Sequence, residues 1–460
     1  MQFIFFIIIN IINVNIYSSY LIFPFKTRFS QIPNTDKNIS SLFLSLMDNH
    51  IFIELNIGTP PQIIEVFLHS SVCDFYISEK NKSDERTIGP QPYIYDVGSD
   101  LNKFFDKNNS ISLEISKEGI NSIPSGKLIG NVSYDIIHFI SNKNENIDKK
   151  MKFILYKSTL GHMPGVIGLR VIFENKEKKY NFIDQLKLYD IIDSYFWMIN
   201  YTSDYEGNLI IGEQPHNFDS VNFHKDELSF SYPFLNDDFY DWGLLFDEIS
   251  FNDVNFRQFH YSSFNYELNY IKGNIDLEKE LDIYFNESIL NKTCFKEHIY
   301  HSYRPHSFFH CKKILFKDNM KYFPPLKFFQ YDFNYTFELT YKDLFIEKND
   351  KIILLIFFDQ MRFDWRLGKP FLRKYSFLFN QDTKMVGFYK NQNIGNNTNK
   401  NNLDSKWKII LIVFVIFFAI VILVFSGILI GIYLFRKKRK NKYTIDEDYD
   451  YTTKNDEEIN

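Results

Sequence analysis

The sequence predicts a mostly-β body that is followed by one membrane-spanning helix. Residues 51–389 consist largely of short apolar or alternating runs broken by polar turns, and this pattern is typical of strands. Helical candidates in this stretch are few and short. Residues 409–435 then form an apolar run of 27 residues without a charge, which is long enough to cross a hydrocarbon core of ~30 Å.

Length and composition limit the class of protein. A chain of 460 residues suits one large unit with two lobes, or two domains. Hydrophobic residues make up 45% and charged residues 24%, so most of the chain is expected to fold. The net charge of -5 provides no broad basic surface, and we therefore expect no nucleic acid among the partners. The sequence also predicts no cofactor.

The two ends of the chain predict its topology. Residues 3–12 are almost wholly apolar and lead to Ser18 and Ser19, as in a secretory signal peptide over residues 1–19. No Lys or Arg precedes this run, which leaves an uncleaved anchor as the alternative. The basic residues 436–440 follow the C-terminal apolar run, and basic residues stay on the cytoplasmic side. We expect a single-pass type I protein of the secretory pathway or cell surface, with a lumenal or extracellular body.

Individual elements follow from the local pattern. Period-two or continuous apolar runs predict strands at residues 51–57, 66–68, 75–77, 111–115, 209–211, 244–246 and 352–358. Short helices are predicted at residues 182–188, 276–285 and 341–345. The remaining segments are a short N-terminal segment (20–50), an Asn-rich stalk (391–406), the membrane span (407–435) and the cytoplasmic tail (436–460).

Cysteine usage is compatible with an oxidising compartment. Cys294 and Cys311 are close enough in sequence for one disulfide, and Cys73 is left over. The segment between the paired cysteines contains four histidines whose spacing is a weak signal for zinc: His298, His301, His306 and His310. We favour a disulfide-closed surface loop without a metal, because Phe308 and Phe309 indicate packing and no carboxylate partner is evident.

Several phrases of the body are distinctive. The clearest are Ile57-Gly-Thr-Pro-Pro-Gln62 after a strand, Gly165-Val-Ile-Gly-Leu169, and the closing phrase that begins at Leu367-Gly-Lys-Pro. In their residues and in their order these phrases resemble the pepsin-like aspartic peptidases, including their plasmepsin type. The resemblance implies a bilobal fold with an N-lobe at residues 51–215 and a C-lobe at 216–390 around a long cleft.

The family's catalytic loops are altered in this chain. Each lobe of an active member carries an Asp-Thr/Ser-Gly loop, and the two carboxylates share one proton around a water. No such tripeptide occurs anywhere in this sequence. Alignment from Gly58 places the first aspartate position on His69, which is followed by Ser70 and Ser71.

The second catalytic position is less sharply defined. Counting from Trp242 places it on Glu267, which is followed by Leu268 and Asn269, and Asn269 itself is the other candidate. In the flap, the resemblance places Ile123 where the family has a tyrosine, with Ser125 and Gly126 also lining the cleft.

These replacements lead to three functional hypotheses. The first is a pseudo-protease that binds an extended peptide or a protein partner in its cleft, because main-chain hydrogen bonds can hold such a ligand without a catalytic dyad. The second is an active endopeptidase that uses a His69/Glu267 dyad, or a metal in its place. The third is an architectural surface protein whose cleft is filled by its own loops.

Overall fold

The computed structural model describes residues 19–28, 46, 50–79, 104–120, 130–157, 164–172, 180–233, 241–256, 260–301, 304–359, 365–390, 430 and 432–434. The chain divides into two compact units, Met1–Ile394 and Gly395–Asn460. The first unit contains the sheets and the candidate site.

The first half of the body is built from strands that alternate or run continuously in apolar residues. They are β1 (Leu21–Arg28), β2 (His50–Ile57), β3 (Gln62–His69), β4 (Phe75–Glu79), β5 (Glu114–Ile120), β6 (Gly130–Ile140), β7 (Asn146–Lys157), β8 (Gly165–Gly168), β9 (Phe196–Tyr201) and β10 (Glu206–Ile211). Helix α1 (Phe182–Leu188) begins after Asn181, whose side chain accepts a hydrogen bond from the Asp184 N–H.

The second half continues the same construction. Its strands are β11 (Leu228–Ser231), β12 (Gly243–Phe246), β13 (Glu248–Phe251), β14 (Val254–Phe256), β15 (His260–Phe264), β16 (Ile271–Gly273), β17 (Cys294–His301), β18 (Arg304–Lys312), β19 (Leu326–Gln330), β20 (Tyr335–Leu339), β21 (Phe345–Lys348), β22 (Lys351–Asp359), β23 (Trp365–Leu367), β24 (Phe377–Asn380) and β25 (Met385–Tyr389). Its helices are α2 (Ile275–Leu290), α3 (Lys313–Phe316), α4 (Tyr341–Leu344) and α5 (Lys369–Leu372).

The described strands form three sheets. A 13-stranded sheet has the order β11-β25-β24-β9-β10-β1-β2-β3-β8-β4-β7-β6-β5, and therefore joins strands from both ends of the body. An 8-stranded sheet contains β12-β15-β23-β16-β22-β18-β17, with β21 beside β22. A 4-stranded sheet has the order β14-β13-β19-β20. The predicted mostly-β class is confirmed.

Most predicted elements are found at or near their expected positions, and one strand differs. The prediction placed a strand at residues 111–115, whereas β5 begins at Glu114. Ser110 and Ser112 instead donate hydroxyl hydrogen bonds to the carboxylate of Asp135, which is fully buried. Ile111 points outward and is 86% exposed. The buried Asp135 carboxylate needs hydrogen-bond donors. Because Ser110 and Ser112 supply them, residues 111–113 do not form the strand that their alternating pattern predicts.

The two halves of the body meet through a buried aromatic contact. Trp197 stacks on Phe379 with ring centroids 4.1 Å apart, and Trp242 packs edge-on against Trp197. The indole N–H of Trp242 donates to the carbonyl of Leu169 at 2.7 Å. Because this carbonyl follows the loop glycine Gly168, the contact connects the second half directly to the candidate site of the first.

The described residues of the N-terminal segment belong to the body. Strand β1 pairs with β10 on one side and with β2 on the other, so it lies inside the 13-stranded sheet. Leu46 is 3% exposed and belongs to a buried apolar cluster of the second half that also contains Tyr270, Phe308, Ile353, Leu355 and Phe357.

The predicted signal peptide and stalk lie outside the described residues. Of the predicted membrane span, residues 430 and 432–434 are helical. Among the residues that the structure describes, no helix has the length and apolar character needed to cross a bilayer.

Candidate functional site

The first site loop is held by a close backbone approach. Strand β3 runs parallel to β8, and the register places His69 opposite Gly168. A Cβ on Gly168 would lie 2.4 Å from the carbonyl oxygen of Val72 and 2.7 Å from the nitrogen of Asp74. Only glycine permits this approach. The Leu169 N–H donates to the His69 carbonyl at 2.9 Å, which fixes the end of β3.

The second half repeats this arrangement. Strand β15 runs parallel to β23 in a register that pairs Phe264 with Leu367. The Asn265 N–H donates to the Leu367 carbonyl at 3.0 Å. A Cβ on the next residue, Gly368, would lie 2.1 Å from the carbonyl oxygen of Tyr270. Each half thus presents a loop that is pressed against a glycine at the end of a parallel strand.

The strand registers identify which residues correspond between the two loops. His69 lies opposite Gly168, and continuing the β15–β23 register by one residue brings Asn265 beside Gly368. Asn265 is therefore the counterpart of His69, and Glu267 is the counterpart of Ser71. Counting residues from Trp242 did not find Asn265. The signal that locates Asn265 is that the end of β15 pairs with the dipeptide Leu367-Gly368, as the end of β3 pairs with Ile167-Gly168. Counting residues along the sequence does not use this pairing.

Glu267 nevertheless reaches the first loop. Its carboxylate accepts the hydroxyl of Ser70 at 2.6 Å and also accepts the Ser70 backbone N–H. Its Oε1 lies 3.1 Å from Nδ1 of His69. Ser70 is 3% exposed, while the side chains of His69 and Glu267 are 32% and 20% exposed. The predicted pair is therefore in direct contact, at the edge of a partly open site.

His69 Nδ1 has two competing neighbours. Besides Glu267, it lies 3.2 Å from the Ser71 N–H, which donates to it. An imidazole protonated at Nδ1 donates to Glu267, whereas a neutral imidazole protonated at Nε2 accepts from Ser71. The tautomer of His69 therefore decides whether the imidazole is tied to the second loop or to its own loop.

The other predicted cleft residues are placed less centrally. Leu268 is half-buried, and Asn269 is 5% exposed, so the surrounding fold covers the side chain of Asn269. Ile123, Ser125 and Gly126 lie outside the described residues. The catalytic and cleft-lining roles of all these residues stay predictions.

The histidine-rich loop is the hairpin formed by β17 and β18. The predicted disulfide between Cys294 and Cys311 is present and closes it. The pairing of His298 with Ser307 and of Ile299 with His306 places His298 and His306 on opposite faces. His301 pairs with Arg304, and His310 lies 3.1 Å from the carboxylate of Glu297. Within the described ranges, no group of three potential ligands is arranged to hold a metal ion.

Asp241 is an acidic group of this region that the sequence did not single out. Burial raises the pKa of the Asp241 carboxyl above its ordinary value, although Arg366 opposes the rise. The Glu267 carboxylate raises this pKa further, whereas Arg170 and His69 lower it. The pKa of Asp241, a residue of the second half of the body, therefore depends on charged groups of both site loops.

Replacing Asp241 by asparagine should change the pH dependence of stability. A carboxyl whose pKa is raised on folding lowers stability as the pH rises through its folded pKa, because the folded state must then hold a buried charge. We expect Asp241→Asn to increase the free energy of unfolding at neutral pH and to leave it unchanged below the ordinary aspartate pKa. Urea unfolding at the two pH values measures this. An equal change at both would show that ionisation is not the cause.

Comparison with known proteins places the chain in a family. A family model described as eukaryotic aspartyl protease matches residues 50–391, a span that includes both loops and every described strand except β1. The protein belongs to this pepsin-like aspartyl protease family. A search of the curated proteins finds no match.

Proposed function

We propose that this protein is a catalytically inactive aspartyl protease homologue that binds an extended peptide, or an extended segment of a protein partner, in its cleft. One observation carries the proposal: the Glu267 carboxylate is bonded directly to Ser70 and lies against His69. In an active member two carboxylates share a proton and activate a water between them. In this protein the carboxylate of Glu267 itself lies within hydrogen-bonding distance of the first loop.

The residues at the two corresponding loop positions support inactivity. His69 presents an imidazole, and its register counterpart Asn265 presents an amide, which neither gains nor loses a proton in the working range. The Asn265 side-chain oxygen accepts a hydrogen bond from the Glu267 N–H at 3.0 Å and so stabilises the turn of its own loop. Neither position therefore carries a carboxylate, so these two positions cannot form the pair of carboxylates that shares a proton in an active member.

Peptide binding does not need the dyad. Extended peptides are held mainly through backbone hydrogen bonds, with side-chain pockets adding selectivity. We further propose that residues 407–435 anchor the body to a membrane as a single span, which the uncharged run and the following basic residues support.

The packing of Leu46 favours the architectural function as a second candidate. This leucine belongs to the N-terminal segment and is buried in a cluster that includes Tyr270, with Leu268 packed against it. Leu268 directly follows Glu267 in the second site loop, and Tyr270 lies two residues further along the same loop. In this alternative the chain's own N-terminal segment occupies part of the wall that a peptide would otherwise contact.

Peptide retention and peptide cleavage separate these functions. The detergent-solubilised full-length chain is incubated with a mixed peptide library at acidic and neutral pH, beside His69→Ala and Glu267→Ala samples. We expect peptides to be retained by the folded chain without new termini appearing in mass spectra. Cleavage that disappears in both variants would show an active His/Glu dyad. Absence of both retention and cleavage would favour the architectural function.

A further inference from the structure

His138 lies where strands β2, β6 and β7 meet. It belongs to β6 and pairs with Asn56 of β2 on one side and with Asp148 of β7 on the other. Its Nδ1 lies 2.7 Å from a carboxylate oxygen of Asp148, and its Nε2 lies 2.9 Å from the carbonyl oxygen of Gly58. The imidazole therefore forms a bridge, which we call the His138 bridge, between the β6–β7 hairpin and the turn that begins at Gly58.

The His138 bridge requires a doubly protonated ring. The Asp148 carboxylate and the Gly58 carbonyl both accept hydrogen bonds and donate none. A neutral imidazole carries one N–H and can serve only one of these acceptors, whereas an imidazolium donates to both. In either neutral tautomer a ring lone pair faces an oxygen atom, and the link between the hairpin and the turn is interrupted.

The groups closest to the ring favour the imidazolium. Asp135 of β6 is fully buried, and its carboxylate adds a second negative charge to that of Asp148. Burial lowers the pKa of His138. The hydrogen bonds to Gly58 and Asp148, together with the charges of the two carboxylates, outweigh burial and raise this pKa above its ordinary value of 6.5.

The other charged groups on the neighbouring strands do not oppose this effect. Lys150 lies two residues from Asp148 on the same face of β7, and it is paired with the carboxylate of Glu114. The face of β2 that carries Asn56 also carries Glu54, two residues away. The turn at residues 58–61 contains no charged residue. The surroundings of His138 are therefore acidic.

The turn held by the His138 bridge leads to the candidate site. Residues 58–61 connect β2 to β3, and β3 ends at His69. On its other side the turn contacts the segment that serves the buried Asp135: the Thr59 N–H donates to the Ser110 hydroxyl at 3.1 Å, and the Ser112 hydroxyl donates to the Thr59 hydroxyl at 2.9 Å. The His138 bridge thus completes the attachment of the turn from the side of β7.

We propose that His138 is a pH-sensitive bridge that fixes the turn at residues 58–61 to the β6–β7 hairpin in acid and releases this link as the pH rises. A group whose pKa is raised on folding contributes stability that is fully present below its ordinary pKa and is lost as the pH rises through its folded pKa. The turn is therefore held most firmly in an acidic compartment, and histidine is the side chain whose charge changes in this range.

Hydrogen–deuterium exchange with mass spectrometry tests the proposal at two places in one sample. Exchange at the imidazole C2 carbon gives the titration midpoint of His138, and amide exchange, corrected for its intrinsic pH dependence, gives the protection of residues 58–59 and 110–112. The detergent-solubilised full-length chain is measured from acidic to alkaline pH. We expect a His138 midpoint above 6.5 and a several-fold loss of amide protection as the pH rises through that midpoint.

A local measurement is needed because other histidines affect overall stability in the opposite direction. Burial lowers the pKa of His216, His260 and His310 below the ordinary value. Each of these groups therefore adds stability as the pH rises, and unfolding of the whole chain would mix their contributions with that of His138.

Asp148→Asn provides the decisive variant. The Asp148 side chain is 60% exposed, so its replacement should leave the fold intact, and the loss of its charge should move the His138 midpoint and the loss of amide protection to lower pH together. His138→Gln should remove the pH-dependent step, and His224→Gln, at an exposed histidine, should leave it unchanged. If His138→Gln does not fold, Asp148→Asn decides alone. The proposal is overturned if Asp148→Asn does not move the His138 midpoint, or if amide protection does not follow that midpoint.

Discussion

Gly368→Ala should destabilise the protein strongly and displace the second site loop. The added Cβ would lie 2.1 Å from the Tyr270 carbonyl oxygen and 2.6 Å from the Leu268 carbonyl oxygen. Both are backbone atoms of the loop, so no side-chain rotation can relieve the contact. We expect a loss of unfolding free energy at or beyond the upper end of the ~1–3 kcal/mol that is typical of overpacking. Urea denaturation of parent and variant measures it.

A control at Gly119 separates steric clash from a general effect of alanine. A Cβ built there meets no heavy atom within 4 Å, and replacing an unconstrained glycine usually gains ~0.4–1 kcal/mol by restricting the unfolded chain. Gly119→Ala should therefore be neutral or slightly stabilising. If Gly368→Ala were equally harmless, the loop would not be pressed against this glycine, and the register that makes Asn265 the counterpart of His69 would lose its support.

Glu267→Ala should produce the second large effect. The substitution removes the acceptor of the Ser70 N–H and of the Ser70 hydroxyl, and Ser70 is buried. Hydrogen bonds to charged groups contribute ~1.5–3 kcal/mol each, and the partial exposure of Glu267 allows water to replace part of the loss. We expect the unfolding free energy to fall by about 3 kcal/mol at neutral pH.

Glu267→Gln provides the graded comparison. The amide oxygen still accepts one hydrogen bond from Ser70, but the amide carries no charge to attract a protonated His69. The loss should be roughly half that of the alanine variant. If Glu267→Ala and Glu267→Gln lose the same unfolding free energy, the charge of the Glu267 carboxylate, and not its hydrogen bonds, holds the two loops together.

Sequence patterns predicted the elements well where burial alone decides them. Helix α1 has the predicted bounds, and the continuous apolar run at residues 352–358 forms the centre of β22. The pattern failed at Ile111, because a buried carboxylate from a distant strand recruits the neighbouring serines. A local window contains no information about Asp135.

The candidate site was predictable on one side and only approximately on the other. His69 follows from an ungapped count after a distinctive phrase, and the structure places it at the end of β3. The second loop lacks such a phrase nearby. Its position depends on which residue meets Gly368 across a parallel ladder, and that pairing joins residues about a hundred positions apart. The contact of Glu267 with Ser70 likewise depends on how two distant loops meet.

The hydrogen bond from Trp242 to the Leu169 carbonyl has a consequence for motion. The bridge from Glu267 to Ser70, within the site itself, is a further contact between the two halves. Two contacts resist a hinge rotation that a single contact would allow, so we expect the two site loops to keep their spacing when no ligand is present. Under the proposed function, most of the entropic cost of shaping the binding site would then be met when the chain folds.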